Sequence, residues 1–167
     1  LHKSPGPDGL AAQFYKAFSS DLIPSLVLLF NYMAESGTVT ASMSEAIILV
    51  LPKPGKDPMF CSSYRPIALL SLDAKLFSKI LATRLEDLLP DLVHPDQSGF
   101  IKGRQTHNNI WRVVHLVKKA TKKSIPVVLL ALDAEKAFDR VDWHLLFHAP
   151  RRFGFCERFI VMIKANY

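Results

Sequence analysis

The run VVLLAL at residues 127–132 ends on a carboxylate, Asp133, and this junction constrains the chain more than any other stretch. Six consecutive apolar residues rich in strand formers are too few for an independent helix and predict a buried strand. A carboxylate at the end of such a strand is held at a fixed point by the backbone. That suits Mg²⁺, which takes a few carboxylates alongside substrate phosphates rather than a full protein cage. The same pattern also describes an ordinary strand-to-helix junction with Asp133 as the N-cap. Phe138 and a second carboxylate, Asp139, follow directly.

Upstream, the chain alternates helical and extended patterns. Ser4, Pro5, Gly6, Pro7, Asp8 and Gly9 form a rigid turn, with Asp8 as a candidate cap for a helix carrying Phe14, Tyr15 and Phe18. Ser20 or Asp21 can cap a second helix, with Pro24 in its first turn and Gly37 as its stop. Residues 45–51 (EAIILVL) and 65–70 (RPIALL) read as partner strands around a basic loop, PKPGKDP, and so as a long-looped β-hairpin. Residues 72–89 read as a helix. Leu72, Leu76, Ile80, Leu81, Leu85, Leu88 and Leu89 share its apolar face, and Pro90 closes it. A helix over 106–123 is expected to turn Ile110, Val113, Val114, Val117 and Ala120 inward. Shorter helices are predicted near 143–147 and 157–166, with a kink or a split at Pro150. Strands and helices mixed without regular alternation favour α+β over a doubly wound sheet.

With 167 residues, 49% of them hydrophobic, the chain has enough apolar surface for a real core. The formal net charge of +6 points to a polyanionic partner as a prior. Cys61 and Cys156 lie far apart and form no C-x-x-C pair. That fits a reducing, intracellular setting (nucleus, cytoplasm or both) and argues against a disulfide scaffold or zinc ribbon. The apolar stretch 22–30 is too short to span a bilayer, so no membrane role is expected. The opening LHKSP is no signal peptide and lacks an initiator Met, so the chain reads as a piece of something longer.

Five motifs now stand in order: PGPDG at 5–9, LPKPGKD at 51–57, YRPIALLSLDAKLFSKILATRL at 64–85, DQSGFIKGRQT at 96–106 and LDAEKAFDRVDW at 132–143. Together they resemble the reverse transcriptase domain of non-LTR (LINE-type) retrotransposons. The resemblance covers nearly the whole chain. It implies an α+β fold with a fingers region over 1–125 and a partial palm over 126–167, including the start of an antiparallel palm sheet. It also implies RNA-directed DNA synthesis from dNTPs, with an RNA template, a DNA primer and Mg²⁺ (or Mn²⁺) as cofactor.

Residue by residue, the resemblance gives Asp133 the catalytic role of first metal-binding aspartate. Phe138 matches the ring that packs under the nucleotide sugar and sterically excludes a 2′-hydroxyl; the alternative is plain core packing. Asp139 reads as structural, a cap for the next helix. Lys53 and Arg65 match the two fingers cations aimed at the dNTP triphosphate, for which a lysine point charge and a bidentate arginine are suited. The alternative for the pair is a solvated loop lysine and a hairpin arginine bound to a carboxylate. Gly99, Phe100, Gly103 and Arg104 match a loop that approaches template and primer; a turn with Phe100 anchored in the core is the rival reading. His144 and His148 lack a third nearby ligand and read as packing or surface residues. The lysines at 118, 119, 122 and 123 read as a solvated helix end suited to the helix dipole, with contact to phosphate as the alternative.

The chain departs from the family pattern in having no paired-aspartate motif, and one carboxylate does not hold two magnesium ions against water. The 167-residue polypeptide is therefore expected not to polymerise alone. The rival from another class is a non-catalytic nucleic-acid-binding remnant, with salt-dependent, sequence-tolerant binding through Lys53, Arg65, Arg104 and the basic helix ends. An unrelated Mg²⁺-dependent phosphotransferase built on Asp133 ranks last, because it leaves the four upstream motifs unexplained.

Overall fold

A computed structural model describes residues 4–167; residues 1–3 of the LHKSP opening lie outside it. The fold is mixed helix and strand, with one two-stranded antiparallel sheet among the described residues. Two compact units share the chain. One joins the residues up to Leu81 with Pro150–Tyr167, and the other is Ala82–Ala149.

In the first unit, the PGPDG motif closes as a turn, Gly9 N–H donating to the Gly6 carbonyl at 3.1 Å. Gly6 is buried, and a Cβ there would overlap the backbone of Leu70 and Ser71. The motif thus needs glycine for close approach. Asp8 is not the expected helix cap. Its Oδ1 accepts from Leu10 N–H at 3.1 Å, a local turn that satisfies the carboxylate before helix α1 (Ala12–Ala17) begins. Helix α2 (Ser19–Ser36) also starts without a side-chain cap from Ser20 or Asp21, and Pro24 falls in its second turn rather than its first. Gly37 does end it, at φ 69°, with its N–H on the Met33 carbonyl at 2.9 Å.

The hairpin forms as expected. β1 (Ala46–Pro52) pairs antiparallel with β2 (Tyr64–Leu70), from Ala46 opposite Leu70 to Pro52 opposite Tyr64. Helix α3 (Leu72–Glu86) follows, and its buried stripe coincides only in part with the apolar face read in the sequence, sharing Leu81 with it. Ala74, Phe77 and Leu81 face the core, while Ile80 is exposed. The small Ala74 lets neighbouring elements come close, and the large Phe77 fills the space; hydrophobicity alone did not distinguish them from the leucines. Their partners are Met33, Ala34 and Met43, with Met162 from helix α7 (Glu157–Lys164). Phe30 packs on Phe77 with ring centroids 5.3 Å apart.

Helix α3 stops at Glu86 rather than running to Pro90. Pro90 instead sits in the first turn of a short helix, α4 (Leu89–Leu92), where a missing N–H costs no hydrogen bond. Helix α5 (Thr106–Lys122) matches its expected bounds. Only Ala120 of its apolar face is buried; Ile110 and Val117 remain exposed.

Residues 127–132 do not form the strand expected to end at Asp133, nor the start of a palm sheet. Among the described residues no segment pairs with them, and a lone strand leaves its N–H and C=O groups without a ladder. Val128 is 95% exposed and Leu132 85%. Part of the run, with Val113, Leu116, Val117 and Ala120 of α5, lines an open apolar cavity of about 430 Å³.

Helix α6 (Trp143–Arg152) is capped by Asp142, not Asp139: Asp142 Oδ1 accepts from Leu145 N–H at 3.0 Å. It also continues through Pro150 and does not split there. Pro150 lies in the last turn, so only one helical bond is lost before the helix ends anyway. No helix of the described residues is long and apolar enough to cross a membrane.

Candidate functional site

In the first unit, Lys53 and Arg65, the two cations expected to face the triphosphate, lie at one end of the hairpin. Register places Arg65 opposite Leu51, two residues before Lys53. Lys53 extends the pairing: its N–H donates to the Ser63 carbonyl at 2.7 Å, and its Nζ donates to the Ser62 carbonyl at 2.7 Å. The connecting loop is braced from within. Met59 N–H bonds Asp57 Oδ1 at 2.9 Å, and the Tyr64 hydroxyl donates to the Pro58 carbonyl at 3.0 Å. Arg65 is exposed, and no carboxylate among the described residues pairs with it. Its guanidinium is available to an anion. Lys56 lies exposed at the loop turn.

The second unit holds Gly99, Phe100, Gly103, Arg104, Asp133 and Phe138. Arg104 points inward. One terminal nitrogen donates to the carbonyls of His94 and Gln97 at 2.6 and 2.9 Å, and the other to those of Pro90 and Val93 at 2.6 and 2.9 Å. The planar fork suits this convergence, taking up carbonyls from the single turn of α4, its C-cap Val93 and the loop beyond. The loop is tied to α5 as well. Asn109 Nδ2 donates to the Asp96 carbonyl at 2.7 Å and to Ser98 Oγ at 3.1 Å, and Arg112 pairs with the Asp96 carboxylate. Lys102 bonds Asp87 at 2.9 Å, and this hydrogen bond raises the lysine's pKa. Asn109 and Arg112 carried no signal of their own in the sequence, because their partners lie in a loop whose shape is not local.

So fastened, the loop presents Phe100. The residue has φ 61° and is 87% exposed, not anchored in a core. A bulky side chain at positive φ is a strained conformation that the surrounding bonds must impose. Phe138 is 79% exposed and meets Phe100 edge to face, centroids 5.8 Å apart at 77°. Gly103 has φ 77°, and a Cβ there would meet nothing.

Asp133 is exposed on irregular backbone. Among the described residues no group of three or more His, Cys, Asp or Glu side chains is placed to hold a metal ion. This donor set does not fit a two-magnesium centre by itself. His144 and His148 stack 6.0 Å apart at 12°, without a third ligand beside them.

Comparison with known proteins gives one family. Residues 51–167 match the model of "Reverse transcriptase (RNA-dependent DNA polymerase)". Over 99% of its length the chain is 34% identical to the "Transposon TX1 uncharacterized 149 kDa protein" of Xenopus laevis. It is 32% identical over its whole length to the "Probable RNA-directed DNA polymerase from transposon BS" of Drosophila melanogaster. Over 92% of its length it is 31% identical to the "RNA-directed DNA polymerase from mobile element jockey" of the same fly. The chain spans 13%, 20% and 17% of these three relatives' own lengths. The hairpin cations, the fastened loop and the LDAEKAFD segment thus lie within a family match covering more than half of the sequence, and the chain belongs to the reverse transcriptase (RNA-dependent DNA polymerase) family.

Proposed function

We propose that this chain is the nucleotide- and template-facing portion of an RNA-directed DNA polymerase that copies RNA into DNA from dNTPs. Arg65 carries the reading furthest. An exposed guanidinium without a carboxylate partner, beside Lys53 at one hairpin end, is a ready receptor for a triphosphate. Lys53, held by two carbonyls of the opposing loop, adds a fixed point charge. Phe138 supplies a ring for the sugar, and Gly99, Phe100 and Gly103 bring the fastened loop to template and primer. Arg104 sets the shape of that loop from within. Asp133 contributes one carboxylate toward Mg²⁺ or Mn²⁺, with the remaining ligands supplied outside the described set. The exposed free thiols of Cys61 and Cys156 suit a reducing intracellular setting.

The test is a titration of the chain with a recessed RNA-template/DNA-primer duplex, with and without the next complementary dNTP. Tightening by the dNTP in wild type, lost in Arg65→Ala, is the expected result. Template–primer affinity indifferent to both dNTP and Arg65 would contradict the nucleotide-receiving role of the hairpin.

A further inference from the structure

The chain's net charge is concentrated in one place. Residues 94–123 carry seven cations (Lys102, Arg104, Arg112, Lys118, Lys119, Lys122 and Lys123) and one carboxylate, Asp96. The rest of the chain carries fourteen of each sign, so the whole excess of +6 lies in the Phe100 loop and helix α5. These two elements belong to the same unit and are joined by Asn109 and Arg112.

Helix α5 divides this charge by face. Val113, Leu116, Val117 and Ala120 line the apolar cavity on one side. Trp111, His115, Lys118 and Lys122 recur at spacings of four, three and four, which puts them on one stripe of the opposite side. All four are exposed, Trp111 by 66%. A large exposed indole in line with two lysines, on an element that carries no carboxylate, is the pairing of groups that single-stranded nucleic acid requires. Lysines follow the backbone phosphates, and the aromatic face takes an unpaired base.

We propose that the exposed stripe of α5 is a binding track for single-stranded nucleic acid, with Trp111 stacking on a base and Lys118 and Lys122 meeting phosphates. The proposal rests on the nucleic-acid reading given above and extends it from the Phe100 loop to a helix that reading did not use. The loop and the stripe form one continuous basic region of the sequence, with Phe100 and Trp111 as its two most exposed aromatic groups. Arg104 serves it indirectly, by fixing the loop.

The experiment uses the 167-residue chain and a fluorescein-labelled unstructured RNA 20-mer, titrated by anisotropy at several salt concentrations, with circular dichroism confirming that each variant folds. Trp111→Ala is expected to weaken binding by about 5- to 100-fold, and Trp111→Phe to recover much of it. Lys118→Gln with Lys122→Gln is expected to make the slope of log affinity against log salt shallower by about 1.4, while Lys75→Gln with Lys79→Gln on α3 leaves it unchanged. Wild-type affinity and slope in both α5 variants, alongside weaker binding in Arg65→Ala, would overturn the track while leaving the wider nucleic-acid reading intact. Absence of RNA binding by the folded wild type would overturn both.

Discussion

The guanidinium of Arg104 closes on the carbonyl of Pro90, fourteen residues upstream, at 2.6 Å, and makes three further bonds to loop carbonyls. A side chain that resembles a phosphate contact in the sequence thus acts first on its own backbone. Lysine has no planar fork to span four carbonyls, so Arg104→Lys is expected to behave like Arg104→Ala rather than like wild type. Each charge-assisted bond of this kind contributes roughly 1.5–3 kcal/mol when buried and less when wet. Hydrogen exchange is the measurement: both variants should lose amide protection over 94–104 while α2 and α7 keep theirs. Protection retained in Arg104→Lys would show that charge, not the fork, holds the loop.

Phe77 is 3% exposed and packs at a tilt against Phe30 in the methionine-rich core of the first unit. Phe77→Ala removes a ring from a site whose walls come from several elements, and should cost about 3–5 kcal/mol. Ile80→Ala, three residues on but 40% exposed, should cost much less. Urea unfolding of the two variants checks the burial stripe of α3 directly, because the leucine face read from the sequence would reverse their order.

Gly6 tests the PGPDG motif. A methyl group there meets the Leu70–Ser71 backbone, which cannot move aside like a side chain. Gly6→Ala should destabilise by about 1–3 kcal/mol, the range for forcing extra atoms into packed structure. Gly9→Ala should cost less, through its φ of 72° alone, since open space surrounds it. Thermal unfolding of the pair separates crowding from backbone strain.

Arg151 grips Glu157 through two bonds, at 2.5 and 3.1 Å, and these hydrogen bonds hold the Glu157 carboxyl below its ordinary range. A carboxyl with a lower pKa in the folded state adds stability above its unfolded pKa. That contribution is lost as pH falls through the folded value. Glu157→Gln should therefore flatten the acid side of the stability profile slightly, across and below the ordinary carboxylate range. Both groups are exposed, so the difference should shrink in high salt. Urea midpoints across that range, at low and high salt, give the answer.

Much of the fold was legible where the signal was local. The hairpin shows in its two apolar runs around PKPGKDP, and α2 in a helical pattern that stops at a glycine in the left-handed region. The misreadings have a common physical origin in tertiary context. Residues 127–132 have strand-forming side chains but no strand beside them, and pairing, not propensity, makes a strand. Asp8 has a cap's identity, yet finds a nearer donor in Leu10. For the site, Lys53 and Arg65 were singled out by the family resemblance and not by a local signal, and the structure sets them at one end of the hairpin. Trp111 was missed because its signal is the charge of a thirty-residue window, which no single motif displays.

One carboxylate without companion ligands also bears on chemistry. The folded 167-residue chain, given template–primer, dNTPs and Mg²⁺, should show no steady incorporation, because the described residues offer no metal cluster. Processive extension by the purified chain, abolished by Asp133→Asn, would show that it completes a metal centre.

The central claim, that the hairpin end receives the nucleotide triphosphate, is open to a direct measurement. A photoreactive azido-dNTP complementary to the template base is crosslinked to the chain on an RNA-template/DNA-primer duplex, and the labelled peptide is mapped by mass spectrometry. Labelling within residues 52–65, competed by the natural dNTP and lost in Arg65→Ala, is the expected result. Specific labelling that avoids this segment and survives Arg65→Ala would contradict it.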